Sequence, residues 1–117
     1  MARGTIGRRR TLWRIVIAVL RRRGLSFVVE PLASYMRNIK NVDPGKCLEE
    51  SPCMFYSIAM EYFNGDEEAV RFFLDYIFSA IAPDKFSLRM EIINSMKECN
   101  EKKARDLIKS LADGATA

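Results

Sequence analysis

Arginine dominates the opening of the chain. Residues 1–29 contain Arg3, Arg8, Arg9, Arg10, Arg14, Arg21, Arg22 and Arg23, and no acidic residue. A guanidinium keeps its charge at any physiological pH, and its planar fork bonds two oxygens of one phosphate or carboxylate at once. On a helix advancing about 100° per residue, Arg10, Arg14 and Arg21 fall on one stripe. Arg8–Arg9 and Arg22–Arg23 flank it. Arg8, Arg9, Arg10, Arg14, Arg21, Arg22 and Arg23 are therefore the candidate binding residues, suited to tracking a nucleic-acid backbone without reading its sequence. Trp13 stands among them and has the chemistry to stack on an unpaired base. Its apolar neighbours Leu12, Ile15 and Val16 point instead to packing.

Other chemistries are poorly provided for. The chain has no histidine, the commonest general base and metal ligand. A nucleophilic Ser or Cys would need a lysine, a carboxylate or the terminal amine as its base. No GxSxG, GxxxxGK[ST] or GxGxxG motif occurs, and Gly4 and Gly7 precede arginines without the Lys-Ser end of a phosphate loop. The paired acids Glu49–Glu50 and Glu67–Glu68 lie near expected helix ends, where carboxylates are solvated or favour the helix dipole. Cys47, Cys53 and Cys99 are odd in number, contain no CxxC and cannot complete a four-ligand zinc site. They are expected to be free thiols, with Cys47–Cys53 the pair that a short loop could join. The expectation is no catalysis, no metal and no cofactor.

The 117 residues, 49% hydrophobic and 29% charged, suit one compact domain with a real core. The net charge of +4 hides an asymmetry, because residues 30–117 hold eleven basic and fifteen acidic residues. The expected organisation is a basic N-terminal segment over 1–24, a helical domain over 25–113 and a disordered tail over 114–117. Such asymmetry implies a polyanionic partner or a targeting role. The apolar run 15–20 is too short to cross a bilayer, and arginines follow it where a secretory signal would place a cleavage site. The acid-free, Arg-rich opening also matches a mitochondrial presequence. The default reading is a soluble intracellular protein without a transmembrane segment.

Helix punctuation recurs throughout. Leu12, Ile15, Val16, Val19 and Leu20 predict a helix over 11–23 ended by Gly24, although the β-branched residues leave open a hairpin with a second strand over 25–29. Glu30–Pro31 starts a helix to about Asn41, and Asp43-Pro44-Gly45 is turn chemistry that can open one short helical turn through Glu50. Ser51–Pro52 starts a buried helix over 53–63, and Asp66 caps one extending to about Ile81. In that helix Glu67, Arg71, Asp75 and Ser79 form a solvent stripe with i,i+4 ion pairs, while neighbours enclose the remaining faces. Pro83 begins the next helix, with Phe86, Leu88, Met90, Ile92, Ile93 and Met96 inward. Asn100 caps the last, with Ala104, Leu107, Ile108 and Leu111 as its stripe and a stop at Asp113–Gly114. The expected core centres on Phe55, Ile58, Tyr62, Phe73, Leu74 and Ile77.

Asp66-Glu67-Glu68-Ala69-Val70-Arg71 and Asn100-Glu101-Lys102-Lys103-Ala104-Arg105 begin 34 residues apart, which resembles the period of the tetratricopeptide repeat. The interval from Ala69 to Pro83 exceeds the one that repeat uses, and its Trp, Gly and Tyr positions are unfilled. Residues 12–23, Gly24-Leu25-Ser26 and Glu30-Pro31-Leu32-Ala33 loosely resemble the first two helices of a winged helix-turn-helix domain. Pro31 interrupts that pattern, and apolar 53–63 stands where a polar recognition helix would follow. The combined reading is an all-α, compact bundle of five or six short helices with an Arg-rich N-terminal helix. Its expected role is that of a small non-enzymatic accessory protein binding RNA or DNA backbone within a larger complex. The alternative is a protein-interaction module whose basic N-terminus docks on an acidic partner.

Overall fold

The computed structural model describes residues 12–116. They form α1 (Leu12–Arg22), a 3-10 turn (Ser26–Val28), α2 (Glu30–Asn38), α3 (Pro44–Glu50), α4 (Pro52–Tyr62), α5 (Glu67–Ser79), α6 (Phe86–Lys97) and α7 (Glu101–Thr116). The described residues are thus all-helical, with seven α-helices rather than five or six. α3 occupies the segment where a short helical turn through Glu50 is expected. Asp43 Oδ2 accepts the Lys46 N–H at 2.9 Å and Pro44 fills the first turn, so apparent turn chemistry starts a helix. No helix among the described residues is long and apolar enough to cross a membrane.

The ambiguous segment over 12–23 is a helix, not a hairpin. Leu12, Ile15, Val16 and Leu20 recur at helical spacing and are buried, and α1 packs on α3 and α7. A strand would turn alternate residues outward and forfeit that burial. Glu49 Oε2 accepts the Leu12 N–H at 2.8 Å, so a carboxylate from α3 caps the positive end of α1. Residues 26–28 form the 3-10 turn in place of a second strand.

α4 is the hub of the bundle, packing against α2, α3, α5, α6 and α7. Phe55, Ile58, Phe73, Leu74 and Ile77 are buried as expected, and Tyr62 is half-buried with its ring 5.4 Å from Tyr35. Leu12, Val16 and Leu20 of α1 belong to the same core. Ala104, Ile108, Leu111 and Ala112 anchor α7, which continues through Gly114 to Thr116 rather than stopping at Asp113–Gly114.

Three expectations for α5 and α6 are corrected. Glu67 and Asp75 do not pair with Arg71; they reach α6, Glu67 to Lys97 at 2.9 Å and Asp75 to Arg89 at 2.6 Å. α5 is less enclosed than its composition suggests, since Phe72 is 76% exposed. Pro83 does not open α6, which begins at Phe86, and the Phe86 ring is outside the core at 62% exposure. The reason lies in Arg89, which is buried and donates Nη1 to the Ala82 and Pro83 carbonyls at 2.8 and 3.0 Å. The interhelical segment is therefore held as a turn.

Three helices end in the same left-handed motif, in which two N–H groups past the end fold back onto orphan carbonyls. Gly24, Asn64 and Cys99 hold the left-handed position, at φ 69°, 57° and 55°. At α6 the Cys99 N–H meets the Met96 carbonyl at 3.1 Å and the Asn100 N–H meets that of Ser95 at 2.9 Å. Glycine and asparagine suit this conformation and cysteine does not. Cys99→Gly is expected to stabilise the reduced protein by about 0.5–1 kcal/mol, net of the glycine entropy cost, as read by thermal melting under reductant.

Candidate nucleic-acid interface

α1 and α2 leave a groove of about 640 Å³ between them. Trp13, Ile17, Ala18 and Ala33 form its apolar lining, Arg14, Arg21 and Arg37 its cationic one, and Glu30 and Ser34 complete the α2 side. Arg14 and Arg21 come from one face of α1, as their seven-residue spacing predicts. Arg22 and Arg23 are exposed at the C-terminal end of α1, beyond the groove lining. Arg8, Arg9 and Arg10 lie outside the described residues.

Arg37 is the groove residue that sequence reasoning missed. It belongs to α2, which follows the 3-10 turn, and lines the same groove as Arg21. A faint signal existed, for Arg37 falls off the apolar face made by Leu32 and Met36. A second hollow of about 800 Å³ shares Trp13, Arg14 and Arg37, and adds Lys46, Arg105 and Lys109. Its cations are offset by Asp43, Glu49, Glu50 and Asp106. The first groove, with Glu30 as its one acid, is the more cationic of the two.

Four lysines of the body are held in ion pairs. Lys40, Lys97, Lys102 and Lys103 pair with Glu61, Glu67, Asp106 and Glu91 at 3.0, 2.9, 2.8 and 3.5 Å. Arg21, Arg22, Arg23 and Arg37 form no ion pair with the described residues. Arg21 and Arg22 do lie in the last turn of α1, where cations favour the helix dipole. That placement positions both charges and leaves their donors directed to solvent or a ligand.

Trp13 is part of the wall, not a stacking platform. It is 6% exposed, with its ring 6.0 Å from Phe55. Gly45 of α3 lies against it so closely that an added Cβ would sit 2.7 Å from Trp13 Cβ. Because that atom is tied to the α1 backbone, only separation of α1 from α3 would relieve the clash. Gly45→Ala is expected to cost about 1–2 kcal/mol despite the gain in helix propensity, and to shift Trp13 fluorescence. Urea melts and emission spectra check both.

The cysteines are free, with Cys47 buried, Cys53 half-buried and Cys99 exposed. Burial, with Glu101 and Asp43 nearby, raises the Cys47 thiol to about 11, which makes it a poor nucleophile. Among the described residues no group of three or more Cys, Asp and Glu side chains is arranged to hold a metal ion. No family model, curated protein or solved structure matches the chain.

Proposed function

We propose that this protein is a small non-enzymatic accessory factor that binds RNA or DNA backbone, largely without sequence preference, as part of a larger complex. The observation that carries the reading is the groove between α1 and α2, where Arg14, Arg21 and Arg37 surround an apolar floor. Arg22 and Arg23 extend its charge along the surface. Arginine forks arranged this way suit successive phosphates, and the apolar floor accepts sugar edges. The buried Trp13 leaves no exposed aromatic platform in this groove, which favours backbone contact over base stacking.

Fluorescence anisotropy with single- and double-stranded DNA and RNA across a salt titration tests the proposal. Comparison with an arginine-substituted protein is the informative control. Truncation of the basic segment would remove Leu12, Val16 and Leu20 from the core and confound binding with unfolding. No binding at low salt would sink the reading.

A second reading, a protein-interaction module, is favoured by exposed Phe72, Phe27 and Ile39, at 76%, 65% and 64%. Large apolar side chains left in water are typical of surfaces that meet a partner. Association that is insensitive to salt and is lost with Phe27→Ser or Phe72→Ser would support it.

A further inference from the structure

An exposed apolar tip follows directly on the arginines that end α1. Leu25, Phe27 and Val28 lie in or beside the 3-10 turn, and all three side chains are exposed. Arg21, Arg22 and Arg23, also exposed, immediately precede them, and no acidic residue occurs before Glu30.

The turn is held from both ends. Gly24 reverses the chain at φ 69°, and the Leu25 N–H returns to the Leu20 carbonyl at 2.8 Å. The Tyr76 hydroxyl of α5 donates to the Leu25 carbonyl at 3.3 Å, and Val29 is buried in the core. The Val28 and Val29 N–H groups bond the carbonyls of Leu25 and Ser26 at 3.2 and 3.0 Å. Backbone groups satisfied in this way lower the cost of taking the turn out of water.

Three apolar side chains in water stand beside three guanidiniums that make no ion pair with the described residues. A nucleic-acid backbone would satisfy the arginines alone, and an apolar protein pocket would satisfy the tip alone. An anionic bilayer satisfies both, because it sets headgroup phosphates over hydrocarbon. We infer that the 3-10 turn is a membrane-docking tip for anionic lipid surfaces. Leu25, Phe27 and Val28 enter the boundary between headgroups and acyl chains, while Arg21, Arg22 and Arg23 bind headgroup phosphates. The inference does not rest on the nucleic-acid reading, since Leu25, Phe27 and Val28 do not line the groove between α1 and α2.

The test is co-sedimentation of the full chain with vesicles of phosphatidylcholine containing phosphatidylserine, against vesicles of phosphatidylcholine alone. The chain is expected to pellet with the anionic vesicles, less so as salt rises, and to stay in solution with the neutral ones. Phe27→Ser is expected to weaken the partitioning by about 10-fold, with melting temperature and nucleic-acid anisotropy unchanged. Converting Arg21, Arg22 and Arg23 to alanine should weaken it by about 100-fold. No pelleting with anionic vesicles at low salt would overturn the inference. So would a Phe27→Ser protein that pellets as the parent does, because the arginines alone would then hold the surface. Phe27→Ser that loses nucleic-acid binding or self-association, with vesicle binding intact, would assign the tip to those partners and overturn it equally.

Discussion

Replacing Arg89 by alanine is expected to destabilise the protein by about 2–4 kcal/mol, below the usual cost of breaking a fully buried pair because one partner is partly solvated. The guanidinium makes three polar contacts, to Asp75 Oδ1 at 2.6 Å and to the Ala82 and Pro83 carbonyls at 2.8 and 3.0 Å. It also lies 5.6 Å from the centroid of the Phe86 ring. The Arg89 side chain is 9% exposed and that of Asp75 34%. Truncation would leave the Pro83 carbonyl and a partly buried carboxylate without this donor, and the Ala82 carbonyl with only the Lys85 N–H, which costs more than the net worth of the bonds themselves. For a domain of this size the melting temperature should fall by roughly 8–16 °C.

Arg89→Lys separates charge from geometry. An ammonium can approach Asp75 but cannot reproduce the fork that holds both carbonyls, so recovery should be partial. If the alanine variant melts within a degree or two of the parent, the clamp contributes nothing and the α5–α6 turn is held by the core alone.

The second large effect concerns binding. Converting Arg21, Arg22, Arg23 and Arg37 together to alanine is expected to weaken nucleic-acid affinity by about 100-fold or more near 100 mM salt. Each phosphate contact releases condensed counterions, so losing four should flatten the slope of log K against log salt by about 3 to 4. All four side chains are exposed and none is ion-paired with the described residues, so the fold should survive. Circular dichroism melts within a few degrees of wild type would establish that. Arg37→Ala alone is the sharper test of the groove, because Arg37 lies outside the N-terminal cluster. If the quadruple variant binds as the parent does, the arginines of α1 and α2 are not the phosphate grip. The exposed Phe27 and Phe72 would then become the surfaces to pursue.

Much of the fold was legible because helix punctuation is local. Asp66 Oδ1 accepts the Ala69 N–H at 3.1 Å, and Asn100 Oδ1 the Lys103 N–H at 3.4 Å. Gly24 ends α1 at φ 69°, as the turn chemistry predicts. The apolar spacing of α4 and α5 identified five buried core residues, Phe55, Ile58, Phe73, Leu74 and Ile77. The arginine stripe was half legible. Arg14 and Arg21 share a groove because seven residues are nearly two helical turns, a property of the helix alone.

What the sequence by itself determined was therefore much of what depends on neighbours along the chain: most helix starts and stops, the buried faces of α1, α4 and α7, and the charge of the opening segment. Only the tertiary structure decided which long side chains meet. Glu67 and Asp75 reach Lys97 and Arg89 across a helix pair, where an i,i+4 reading would assign both to Arg71. Glu49 caps α1 from α3, and Glu101 caps α4 from α7. Arg37 enters the groove by the same route, from a separate helix. A helix constrains its own residues through backbone hydrogen bonds that repeat every turn. The pairing of helices depends on how their apolar faces pack, and no local pattern encodes that.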